Sequence, residues 1–125
     1  MAAVSPEQRD VCDRFGADPV PAPDDLKVGI ALNVRDGGQP LNAIRHLPVG
    51  DTTGWYIWAG EIDPRTEGDD FFVPLHTRHL PEWRPEILPY LALPPGFGVV
   101  LGTDYEDVWF DEELVTGLTA ARFRG

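Results

Sequence analysis

Two histidines, His76 and His79, stand three residues apart in His76-Thr77-Arg78-His79, just downstream of Asp69 and Asp70. On a helix that spacing puts both imidazoles on one face, a geometry a metal can use. The segment is broken by Pro81 and Pro85, however, and the chain holds only three histidines. The competing reading is that one of the pair ties the end of a strand to the following crossover through hydrogen bonds. Arg45-His46 precedes a glycine-containing loop with Asp51. A basic pair near a carboxylate can make a small anion or proton-transfer site, or it can be an internal ion pair that orients the loop. Arg45, His46, Asp51, His76 and His79 thus define one candidate pocket, for a small enzyme or for a metal- or small-molecule-binding domain. No serine or cysteine sits in a nucleophile elbow, and neither GxGxxG nor GxxxxGKS occurs. No catalytic residue, metal ligand or cofactor is assigned on these motifs.

The stretch from Phe97 to Leu114 carries a different signal. An apolar strand runs into six acids, Asp104, Glu106, Asp107, Asp111, Glu112 and Glu113, interleaved with Tyr105, Trp109 and Phe110. Their spacing does not match an EF-hand loop. Aromatic rings set among carboxylates are what a protein presents to a basic partner protein. Trp55-Tyr56-Ile57-Trp58 adds a second aromatic unit. Its alternation puts Trp55 and Ile57 on one face and Tyr56 and Trp58 on the other. If the second face is exposed, Trp58 beside Glu61 suits an interface anchor; otherwise both faces are covered by packing. The partner-binding set read here is Trp58, Glu61, Asp69, Asp70, Asp104, Glu106 and Asp107, against the plainer reading of the acidic run as a solvated loop with a capped helix. A third reading makes the aromatic strand an edge that pairs with a second copy of the chain.

Composition narrows the partners. The 125 residues are 42% hydrophobic, enough for one core and too many for a disordered chain. The net charge of −11 and the absence of any Lys/Arg cluster argue against nucleic acid as a ligand. They favour basic proteins or cations. Cys12 is the sole cysteine, so neither an internal disulfide nor a cysteine-rich zinc site is available, and it reads as a small apolar residue on a helix face. MAAVSPEQRD lacks the apolar core of a signal peptide, and no run approaches the roughly 20 apolar residues that span a bilayer. A soluble, cytoplasmic protein without a membrane partner is expected.

The elements that must position these residues follow from turn and cap chemistry. Ser5-Pro6-Glu7-Gln8 starts a helix that Gly16 ends, with Val11, Cys12 and Phe15 on one face. Pro19, Pro21 and Pro23 make an extended linker. Strands are expected from Lys27 to Val34, Leu41 to Leu47, Trp55 to Ala59, Phe71 to Leu75 and Phe97 to Leu101, with Val108 to Phe110 as a last short one. Residues 55 to 75 read as a hairpin with a long polar loop. Leu41, Ala43 and Arg45 share one face of their strand, and Asn42, Ile44 and His46 the other. Prolines at 81, 85 and 89 exclude one long helix and leave a turn near Leu80 to Trp83 and a helix starting at Pro85. Asp111 can cap a closing helix from Glu112 to about Thr116. The expected class is α+β: one domain over residues 1–125, with a mainly antiparallel sheet, an N-terminal helix, a helical crossover and a short C-terminal helix.

Five motifs in order, DLKVGIALNV (25–34), GDTTGWYIWAGE (50–61), DDFFVPLHTRHL (69–80), PEILPYLALPPGF (85–97) and YEDVWFDEEL (105–114), resemble the bacterial immunity proteins of the immunity protein thirty-three-like family. The resemblance spans about residues 24–115, leaving residues 1–23 as an N-terminal helix and Pro-rich linker. It implies a non-enzymatic protein of a bacterial polymorphic-toxin system, which neutralises a cognate protein toxin by binding it. The acidic surface makes the expected toxin basic.

Overall fold

The structure, a computed structural model, describes residues 4–115. The Ser5 hydroxyl accepts from the Gln8 amide and the Gln8 side chain accepts from the Ser5 amide, each at 3.1 Å. This reciprocal cap, with Pro6 in the first turn, starts α1 (Pro6–Arg14). The helix turns Val11 and Cys12 inward, and Cys12 is fully buried.

Six strands follow: β1 (Lys27–Ala31), β2 (Leu41–Arg45), β3 (Thr52–Ala59), β4 (Phe72–His76), β5 (Phe97–Leu101) and β6 (Glu106–Phe110). They form one sheet in the order β4-β1-β3-β2-β5-β6. Every neighbouring pair is antiparallel except β1 with β3. The crossover between β4 and β5 contains α2 (Leu80–Trp83) and a 3-10 segment, Pro85–Tyr90. The class is α+β, as expected.

Strand alternation divides the side chains cleanly. Val28, Ile30, Leu41, Ala43, Trp55, Ile57 and Val99 point to the face covered by α1 and the crossover, where they meet Val11, Leu80, Ile87, Leu91 and Leu93. Trp55, at 0% exposure, donates its indole N–H to the Leu91 carbonyl at 2.9 Å. The opposite face takes Asn42, Ile44 and His46 from β2, Tyr56 and Trp58 from β3, Phe72 from β4 and Trp109 from β6. Both alternations anticipated from the sequence, in β2 and in β3, hold.

Four expectations are corrected. The stretch from Lys27 to Val34 is not all strand: β1 stops at Ala31, and Leu32–Asp36 is a 3-10 turn from which Val34 packs into the core. Residues 55 to 75 are not a hairpin, because β1 lies between β3 and β4. The helix beginning at Pro85 is 3-10 rather than α, consistent with Pro89 inside it, which has no amide hydrogen to give a longer helix. The aromatic strand is β3, the third of six, so it has no edge with which to pair a second copy. At the C-terminal side the Asp111 carboxylate accepts from the Glu113 amide at 3.0 Å and caps a 3-10 turn, Glu112–Val115. Thr116, the expected end of that closing helix, lies outside the described residues.

Candidate functional site

The two acidic segments reach one end of the sheet by different routes. Leu41 at the start of β2 faces Ala59 at the end of β3 and Leu101 at the end of β5. The loop after β3, with Glu61, Asp69 and Asp70, and the hairpin after β5, with Asp104, therefore leave the sheet at the same end. Two asparagines fix the departure of the first loop. Asn33 pairs its side-chain amide with both the N–H and the C=O of Ala59, at 3.1 and 2.9 Å, taking over where β1 has ended. Buried Asn42 donates to the carbonyls of Trp58 and Gly60.

Trp58 lies beneath this loop. It is 9% exposed, and its indole N–H donates to the Ile62 carbonyl at 3.0 Å. Its ring is edge-on to Phe72, which also meets Tyr56, which in turn meets His46. This aromatic layer crosses four strands because β1 offers no side chain at Gly29. A Cβ there would stand 2.6 Å from Cδ2 of the Tyr56 ring. Trp109 lies over Gly98 in the same way at the other side of the sheet. Between them, half-buried Ile44 and Val100 face outward on the strands. The loop and the sheet enclose a cleft of about 600 Å³ whose walls include Lys27, Gly29, Tyr56, Arg65, Asp69 and Phe72.

Glu61, Asp69, Asp70, Asp104 and Asp107 are all exposed. Asp107 is on the aromatic face, opposite Val100. Glu106 is on the other face and is engaged there. Arg14 forks onto its two oxygens at 2.9 Å each, and the Tyr90 hydroxyl donates to it. The bonds from Arg14 and Tyr90 hold the Glu106 carboxyl below the usual carboxylate range, and burial pushes the Tyr90 phenol up to about 12. Glu106 thus fastens the last turn of α1 and the crossover to β6. Asp104, Asp107 and the β3–β4 loop carry the outward-facing charge.

The second set, Arg45, His46, Asp51, His76 and His79, is at the opposite end of the sheet and on both of its faces. Arg45 points into the helical side and is 1% exposed. Its guanidinium donates to five carbonyls, those of Val20, Pro21, Thr53, Leu91 and Leu93. Burial draws its pKa down to about 10, so it remains charged at neutral pH. It is a clamp that binds the Pro-rich linker and the crossover to β3, not one half of an ion pair with the loop. His46 points the other way and is 2% exposed, with Nδ1 3.2 Å from the Leu114 carbonyl. Burial lowers its pKa below 6.5. Asp51 is exposed and pairs with Lys27 at 2.8 Å, which lowers its pKa. His76 stands opposite Lys27 across the β1–β4 pair, and its ring centroid is 6.4 Å from that of His79, which contacts Glu82. Lys27, Asp51 and His76 therefore come together, while His46 is three strands from His76, about 14 Å at the usual strand spacing. Among the described residues no three of His, Cys, Asp and Glu gather as a metal site.

Sequence reasoning missed the Arg14–Glu106–Tyr90 junction, whose members are up to 92 positions apart. It also missed the pairing of rings with glycines. The local signal for the latter was present: Gly29 and Gly98 interrupt apolar strands, and a strand glycine marks a close approach.

No curated protein and no solved structure shows significant similarity to the chain. The Imm33-like domain matches residues 7–111, which includes all six strands and most of α1. Its order of elements therefore falls almost wholly within one family's pattern, and the chain belongs to the Imm33-like domain family.

Proposed function

We propose that this protein is an immunity protein that neutralises a cognate bacterial toxin by binding it, with no chemistry of its own. Family membership supports the immunity role. The observation that carries the choice of surface is that two acidic segments leave the sheet at the same end, beside the face opposite α1 and the crossover. Glu61, Asp69, Asp70, Asp104 and Asp107 form the charged rim, and Trp109, Ile44 and Val100 supply apolar contact area. Trp58 acts from beneath, holding the β3–β4 loop in place, and Glu106 holds β6 to the helical layer. A basic toxin surface matches such a rim, and complementary charge speeds encounter and sets register.

Binding is favoured over catalysis because the ionisable groups most altered by the fold are engaged in structural bonds. Arg45 is held by five carbonyls, and the Tyr90 hydroxyl donates to Glu106. The proposed setting is the bacterial cytoplasm, where such a toxin would otherwise act. Among the described residues no helix is long and apolar enough to cross a membrane.

The test is to titrate the purified chain with the product of the adjacent toxin gene at low and at high salt. Tight binding that weakens at least tenfold between 50 and 500 mM salt, with loss of toxin activity at one equivalent, is expected on the order of magnitude of surface electrostatic steering. Tight binding indifferent to salt would move the contact away from the acidic rim. Absence of binding and of protection would refute the immunity role.

A further inference from the structure

The two edges of the sheet differ in a way that points to a partner. Strand β4 forms one edge and β6 the other. Thr77 donates its amide to Leu26 at 2.9 Å, so its backbone faces inward toward β1. Backbone direction alternates along a strand. Leu75 and Val73 therefore also face inward, while His76, Pro74 and Phe72 face out. The central outward position of this edge is thus a proline, which has no amide hydrogen to offer an incoming strand.

Strand β6 lacks that block. The Asp111 amide donates to the Gly96 carbonyl at 2.7 Å, and the Tyr105 carbonyl accepts from Gly102 at 2.9 Å. Both ends of β6 set the same alternation: Asp111, Trp109, Asp107 and Tyr105 face β5, and Glu106, Val108 and Phe110 direct their N–H and C=O groups outward. Among the described residues no strand lies beyond them. The Phe110 ring, 56% exposed, rests against Phe97 beside this edge. Exposed Asp107 is on the opposite face of β6 from Phe110, exposed Asp104 precedes the strand, and exposed Glu112 and Glu113 follow it.

We propose that the outer edge of β6 is a strand-addition site for an extended, basic segment of a protein partner. This deepens the protein-binding role argued above and rests on it. Three donors and three acceptors at the regular strand repeat supply the backbone ladder, and Phe110 supplies an apolar contact. The carboxylates select the occupant. A second copy would bring its own acids against them, and like charges placed across a strand pair oppose pairing. A strand with Lys or Arg at alternate positions meets complementary charge instead.

The edge can be probed without the toxin. The probe is an eight-residue peptide of alternating lysine and valine, with alternate backbone nitrogens methylated so that one edge is blocked and it cannot stack into sheets; the control replaces lysine by glutamate. Amide hydrogen exchange is followed residue by residue on the full chain. The basic peptide is expected to slow exchange at Glu106, Val108 and Phe110 at least tenfold, with no protection from the acidic peptide. Val108→Pro, which removes an outward-facing amide along with a side chain packed against the core, is expected to weaken peptide binding at least tenfold. Unchanged exchange at the three amides, equal protection by the acidic peptide, or protection that arises from dimerisation of the chain would each overturn the proposal. The exchange reading on the unaltered chain stands even if Val108→Pro fails to fold. Failure here alongside tight toxin binding would sink the edge site alone, whereas edge binding without toxin binding would sink the immunity role alone.

Discussion

Arg45 ties three segments of the chain together through one side chain. Its guanidinium is buried and satisfies carbonyls from the Pro-rich linker, β3 and the crossover at once. Arg45→Met would remove the bonds to the Val20, Pro21, Thr53 and Leu93 carbonyls, while the Leu91 carbonyl keeps its bond from Trp55, and the expected destabilisation is about 3–5 kcal/mol by urea titration. Arg45→Lys should recover little of it, because an ammonium cannot reproduce the planar fork. His46 contributes through its ionisation. Burial lowers its pKa in the folded chain, so on acidification below 6.5 the unfolded chain takes up the proton first. Stability conferred by the neutral imidazole is present above that value and is lost as the pH falls toward the lower, folded pKa. The melting temperature is expected to drop between pH 7 and pH 5, and His46→Gln should flatten that decline. The carboxylates Asp51, Glu86 and Glu106, whose pKa values are lowered from ordinary acid values, add their loss only at more acidic pH.

At the scale of the elements, the aromatic face depends on glycines in neighbouring strands. Gly29→Ala puts a methyl group 2.6 Å from Cδ2 of Tyr56, so the ring must shift and with it the contact to Phe72. The expected cost is about 1–3 kcal/mol. In a Tyr56→Leu background the same change should cost clearly less, and a double-mutant cycle by thermal or urea unfolding measures the coupling. This dependence also marks how far the sequence could be read. The alternation in β2 and β3, the capped α1 and the Asp111 cap were legible, because each is set by residues within a few positions. The false hairpin over residues 55 to 75 was not, because the parallel insertion of β1 between β3 and β4 is a long-range event that neither turn chemistry nor local periodicity encodes. The early end of β1 has a similar cause: Asn33 pairs with Ala59 through its side chain, where a strand would have used its backbone. Pro74 did carry a legible signal, since proline within a strand belongs at an edge, and that is where it lies.

For the whole molecule, the two faces of the sheet do different work. One is sealed by α1, the linker and the crossover, with Arg45, Trp55 and Glu106 as fastenings. The other carries rings over glycines and opens toward an acidic rim. Of the residues chosen from the sequence as partner contacts, Glu61, Asp69, Asp70, Asp104 and Asp107 are exposed at or near that rim, while Trp58 and Glu106 have positioning roles. Geometry could assign those roles and sequence could not, because burial of Trp58 depends on how the loop folds back over it. The five histidine, arginine and aspartate candidates illustrate the same limit. Arg45 and His46 are adjacent in the chain, yet alternation sends them to opposite faces.

In the proposed complex the acidic rim, rather than acidity in general, engages the toxin. The most direct measurement is toxin affinity for two triple variants of equal charge change. One reverses the rim, Glu61→Lys, Asp69→Lys and Asp107→Lys; the other reverses exposed acids of α1 and the linker, Asp10→Lys, Asp13→Lys and Asp24→Lys. Because net charge is the same in both, any difference reports location. The rim variant is expected to lose about a hundredfold or more in affinity, and the control about threefold or less. Equal losses, or a greater loss in the control, would contradict the account.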